Sequence, residues 1–103
     1  MNRVVQEKLK QMMDLCKNRG VRRLALFGSA ATGSFDRSSS DLDLIVEFNP
    51  MPPVQHADNY FGLMEDLQQL FEVPVDLVEL APIRNPFFRQ AVAETEEVLY
   101  EAA

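Results

Sequence analysis

Three carboxylates and one glycine–serine pair are the residues of this chain best suited to chemistry. Asp41 and Asp43 open the stretch DLDLIVEF, one leucine apart. Side chains alternate along an extended segment, so the two carboxylates share a face, with Cα atoms ~6.6–7 Å apart. Leu42 and Leu44 turn the other way. Two carboxylates on one face repel, and a divalent cation is the usual compensation. Mg²⁺ is suited to their hard oxygens. An Asp-x-Asp by itself is more often a solvated turn. Here Gly28-Ser29 changes the balance, because it follows directly on an apolar run. A glycine lets backbone approach a phosphate, and a small neighbour leaves amides open to it. A short helix starting near Ala30 would add free N–H groups, and Ser29 one more donor. The loop would then offer a phosphate seat at one end and a metal seat at the other. Nucleotidyl transfer needs both, with two metals ~3.5–4 Å apart bridging the attacking and leaving oxygens. A third carboxylate is expected from a neighbouring strand. Asp76 is the candidate, since it interrupts the apolar run Val73, Val75, Leu77, Val78. The alternative for Asp76 is an exposed edge position.

Several elements must position these groups. Residues 4–18 predict an amphipathic helix, with Val5, Leu9, Met12 and Cys16 on one face. Lys17 and Arg19 suit its last turn, and Gly20 stops it. Residues 21–27 predict a strand whose apolar end, Leu24 to Phe27, suits burial on both faces. Residues 28–40, GSAATGSFDRSSS, form the longest loop-like segment; composition alone would also allow a linker. A strand over 41–48 is followed by the breaker NPMPP. Residues 57–71 predict a second helix, 73–80 a third strand and 87–96 a last helix. Residues 98–100 fit either a continuation of that helix or a short edge strand. The order implies an α+β, two-layer architecture with at least three strands.

Composition bounds the rest. The chain has 103 residues and 11.7 kDa, which predicts a single domain over 1–103. Hydrophobic residues at 47% and charged residues at 25% exclude disorder as the main state. No 18-residue apolar run exists, and MNRVVQEKLKQ lacks the apolar core of a secretory signal. Cys16 is the only cysteine, so neither an internal disulfide nor a multi-cysteine zinc site can form. A cytoplasmic protein with no membrane association is expected. Residues 1–40 carry a net +5 and residues 41–103 a net −11. The acidic balance argues against direct nucleic-acid binding, which needs basic surface. It allows metal binding or a basic partner.

Gly28-Ser29, eleven residues, Asp41-Leu42-Asp43, and Asp76 on a later strand together resemble the DNA polymerase β-type nucleotidyltransferase superfamily. More narrowly, the chain resembles the minimal nucleotidyltransferase (MNT) family, from LALFGSAATG through SDLDLIVEF and PVDLVEL to IRNPFFRQAV. The resemblance implies a polymerase β-like core, a small mixed sheet packed by helices. It implies the antitoxin half of a toxin–antitoxin module, transferring AMP from ATP to a tyrosine of a HEPN-domain ribonuclease toxin and releasing pyrophosphate. Carried over by position, Gly28, Ser29, Gly33 and Ser40 would bind the nucleotide. Asp41, Asp43 and Asp76 would be catalytic and would ligate two Mg²⁺ ions, with Asp76 helping to deprotonate the attacking hydroxyl. Many family loops carry an arginine soon after the Gly-Ser pair, where this chain has Ala30, Ala31 and Thr32. Arg37 is the candidate replacement for that charge.

Two other functions stay open at this point. One is an antitoxin that blocks its toxin by contact alone. The other is transfer to a small molecule, although 103 residues leave little room for an acceptor domain. Oligomeric state also stays open, homo-oligomers included. His56 has no evident partners and predicts an exposed or capping residue. Tyr60, Phe61 and Met64 predict core at helical spacing. Arg84, Asn85, Phe87, Phe88 and Arg89 suit either a partner surface or phenylalanines packed under a sheet.

Overall fold

The structure is a computed structural model that describes residues 3–27, 42–79 and 84–102. The described elements are α1 (Arg3–Glu7), α2 (Leu9–Asn18), β1 (Val21–Leu26), β2 (Leu42–Phe48), α3 (Pro53–Phe71), β3 (Val75–Glu79), α4 (Pro86–Thr95) and β4 (Glu97–Glu101). The strands form one mixed sheet in the order β3-β2-β1-β4. β1 is antiparallel to both β2 and β4, whereas β2 and β3 run parallel.

Alternation along the strands sorts two layers. Leu24 and Leu26 of β1, Leu42, Leu44 and Val46 of β2, and Leu77 of β3 are buried on one face. They meet Met12 and Cys16 of α2 and Leu63, Leu67 and Phe71 of α3 in one core. The opposite face carries Ala25 and Ile45, which are register partners and also buried. Phe27 continues that face, and Phe88 of α4 sets its ring edge-on against it (centroids 6.3 Å apart, 82° between planes). Residues 24–26 are thus buried on both sides, as their unbroken apolar run requires.

Three differences from the sequence reading, and the outcome of the choice left open at residues 98–100, have local causes. The first helix breaks at Lys8, whose amide turns to the Val5 carbonyl at 3.1 Å. The second helix starts at Pro53 rather than 57. Proline lacks only an amide that a first turn leaves unbonded anyway, so Pro53 begins the helix instead of blocking it. Phe61, expected in the core, is 65% exposed because it points away from the sheet. Residues 97–101 form a strand, since the free edge of β1 gives their backbone a partner. Arg23 fastens that strand, donating from Nη1 to Glu96 Oε2 at 3.2 Å and lying 3.4 Å from Glu101. Gly20 ends α2 as expected, at φ +71°, and its carbonyl accepts from the Asn49 amide at 2.9 Å. No helix among the described residues is long and apolar enough to cross a membrane.

Candidate active site

Parallel pairing brings the carboxylates together. β2 and β3 pair in the register Leu42↔Val75, Asp43↔Asp76, Leu44↔Leu77. Asp43 and Asp76 are therefore lateral neighbours, on strands ~4.8 Å apart, and they project from the same face. The shared face is the one opposite the main core, because Leu42, Leu44 and Leu77 take the inner positions. Asp43 is half-buried and Asp76 exposed. Asp76 is exposed on the edge strand β3 and stands beside the other acid. Among the described residues no group of three or more His, Cys, Asp or Glu is arranged to hold a metal. The two hard oxygen donors that are present fit Mg²⁺ in type, and Asp41 would be the third.

Gly28, Ser29, Gly33, Arg37, Ser40 and Asp41 lie outside the described residues, as does the helix expected near Ala30. The described residues on either side of them, Phe27 and Leu42, are each held by a backbone hydrogen bond. The Phe27 amide donates to the Asp43 carbonyl at 3.1 Å, and the Leu42 amide donates to the Pro74 carbonyl at 2.9 Å. Gly28 thus follows a residue bonded to Asp43, and Asp41 precedes one bonded to the strand leading into Asp76.

The outer edge of β3 is closed by α3. In a parallel pair, alternate residues turn their backbone groups away from the partner strand. Val75 and Leu77 do so here. The Val75 amide donates to Gln68 Oε1 at 3.2 Å, and the Tyr60 hydroxyl donates to the Leu77 carbonyl. Burial raises the Tyr60 pKa, and the carboxylates of Glu79 and Asp76 push it the same way.

His56 is neither free nor an N-terminal cap. Its Nε2 meets Glu79 Oε1, and its ring lies 5.0 Å from that of Phe48. His56 and Glu79, with Met51, Pro53, Tyr60 and Phe61, line a cleft of about 510 Å³. Sequence reasoning missed this pair because the two residues are 23 positions apart and meet only once α3 lies along β3. Asn85 lies in the segment whose composition suits either a partner surface or packed phenylalanines. It caps α4, its Oδ1 accepting from the Phe87 and Phe88 amides at 2.9 and 3.3 Å. Phe88 packs on the sheet while Phe87 is 81% exposed.

The fold is that of the nucleotidyl-transferring enzyme class, as comparison with known proteins shows. A model of the nucleotidyltransferase domain matches residues 8–98. A protein of Methanocaldococcus jannaschii named "Putative protein adenylyltransferase" is 34% identical over 74 residues, covering 72% of this chain and 71% of that protein. A solved "putative minimal nucleotidyltransferase" is 30% identical at a TM-score of 0.67, covering 90% of both chains. A chain in a structure of a tri-AMPylated Shewanella oneidensis HEPN toxin with an MNT antitoxin shares the fold at a TM-score of 0.62, with 18% identity, covering 94% of this chain and 72% of the other. This chain belongs to the nucleotidyltransferase domain family.

Proposed function

We propose that this nucleotidyltransferase transfers AMP from ATP to a hydroxyl of a HEPN-domain toxin, a tyrosine by family resemblance, and so acts as the antitoxin of a two-protein module. The observation that carries the reading is the register pairing of Asp43 with Asp76, with Asp43 bonded to Phe27, the residue before Gly28-Ser29 in sequence. The M. jannaschii relative's name as an adenylyltransferase, and the AMPylated HEPN toxin in the fold neighbour, support the donor and the acceptor class.

In this reading Gly28, Ser29, Gly33, Ser40 and Arg37 seat the triphosphate through amides, hydroxyls and one guanidinium. Asp41, Asp43 and Asp76 would hold Mg²⁺, which supplies charge neutralisation at the phosphates. The acceptor oxygen attacks the α-phosphorus in line. A new O–P bond forms as the bond from that phosphorus to the bridging oxygen breaks, and pyrophosphate leaves with its electrons. The Asp76 carboxylate takes the hydroxyl proton and passes it to solvent. Positioning the acceptor ~3–3.5 Å from phosphorus is a large part of the catalytic task.

The test mixes the purified chain with the toxin, ATP and Mg²⁺ and reads intact masses. Toxin gaining the mass of AMP with the parent, and none with Asp43→Asn, is the expected result. Toxin that never gains AMP, yet is silenced equally by Asp43→Asn, would establish inhibition by contact instead.

A further inference from the structure

α3 carries an apolar surface that the proposed chemistry does not use. Val54 is 76% exposed and Phe61 65% exposed. They lie seven residues apart, and exposed Ala57 falls between them on the same side of the helix. Phe61 stands edge-on to Tyr60, with centroids 5.1 Å apart, and Tyr60 forms a wall of the cleft that Met51 and Pro53 complete. Stripe and cleft are therefore continuous. Scattered exposed apolar residues are common, whereas a contiguous set beside a cleft is characteristic of contact surfaces.

The charges that α3 and β3 themselves carry have one sign, and Arg19, which reaches α3 at Gly62, is paired with Asp66. From Pro53 to Glu79 the chain has six Asp and Glu and no Lys or Arg. Exposed Asp58 and Glu65 border the stripe, and Glu79 lines the cleft. Arg22, in the adjoining cleft, is engaged by Glu47 at 2.9 Å. A second copy using the same patch would set acid against acid, because a twofold contact brings each surface onto itself. A partner with an apolar side chain inside a basic rim complements both features.

The location also fits. The Tyr60 hydroxyl is bonded to Leu77, the residue after Asp76. Along β3, Glu79 at the cleft lies ~10 Å from Asp76. Glu79 turns to the α3 side of the sheet and Asp76 to the other, so a protein seated on the stripe reaches the carboxylate pair round the β3 edge.

We propose that the Val54–Ala57–Phe61 stripe and its cleft dock the protein acceptor, through an apolar anchor of a basic surface. The inference rests on the proposed function and adds the place of docking. Its test titrates the HEPN-domain toxin onto the full chain by calorimetry, comparing the parent with Phe61→Asp and Asp58→Lys. Both side chains are exposed, so both variants keep the fold, which circular dichroism verifies. Each is expected to weaken binding about tenfold or more. Each should raise the KM for the toxin while leaving kcat and ATP affinity near the parent's, and Asp58→Lys should flatten the salt dependence. Variants that bind the toxin like the parent, while AMP transfer proceeds, overturn the docking site and leave the proposed function standing. A parent that dimerises by sedimentation, and becomes monomeric with Phe61→Asp, assigns the surface to a second copy and overturns it too. A parent that neither binds nor modifies the toxin overturns the functional reading itself.

Discussion

Asp43 and Asp76 are register partners across the parallel β2·β3 pair, and the backbone alone sets them side by side. Like charges directly opposite each other destabilise a sheet, and these two sit where a bound cation would reverse that cost. The arrangement joins residues 33 positions apart, and strand pairing holds it irrespective of side-chain rotamer.

Removing one of these charges should separate stability from ligand response. Asp76→Asn is expected to stabilise the metal-free protein by about 0.5 kcal/mol, through relief of cross-strand repulsion. The same variant should lose most of the rise in Tm that Mg·ATP gives the parent. Thermal melts with and without Mg·ATP measure both effects. Equal ligand-induced shifts in parent and variant would remove Asp76 from the site.

The hydroxyl of Tyr60 closes the outer edge of β3 by donating to the Leu77 carbonyl. Tyr60→Phe keeps the ring and deletes the donor. The expected loss is about 1 kcal/mol in urea unfolding, with faster amide exchange concentrated in β3. A variant with parent-like exchange in β3 would show that the bond contributes nothing to the edge.

Gly62 lies in the interior of α3, beneath Arg19. A Cβ there would stand 2.4 Å from the guanidinium carbon, displacing the arm that holds Asp66 at 3.0 Å. Gly62→Ala gains about 1 kcal/mol of helix propensity and loses a partly exposed ion pair worth less than about 1 kcal/mol. The single variant should therefore be close to neutral. In an Arg19→Ala background the same change should stabilise by about 1 kcal/mol. A double-mutant cycle on unfolding free energies reads the coupling, and additive effects would contradict it.

Burial pushes the Cys16 thiol from its ordinary 9.0 up to about 12. The folded protein therefore holds the neutral thiol while the unfolded chain ionises first. This contribution is complete below 9.0 and is lost as pH rises towards about 12. Cys16 should resist thiol reagents near neutral pH until the protein is unfolded. On raising the pH above 9.0, the parent should lose more stability than Cys16→Ala does. Denaturant midpoints across that range check the sign.

Much of this molecule follows from local sequence alone. The Leu24–Leu26 run could only be a strand covered on both faces, and Gly20 supplied the left-handed stop that α2 needs. The alternation in Leu42-Asp43-Leu44 set which side chains face inward, because a period of two leaves no other choice. These are properties of short segments, carried by sterics and by the burial each residue prefers. Other features depended on which segments pair. Nothing within either strand says that β3 joins β2 in parallel, or in the register that faces Asp76 to Asp43. Residues 97–101 became a strand because β1 offered an open edge, and their sequence suits helix or strand equally. His56 found Glu79, and Phe61 was left facing solvent, only when α3 settled along β3. Periodicity shows that a helix has an apolar face. Which residues at the margin of that face are covered depends on the width of the neighbour it packs against, and only the tertiary structure supplies that.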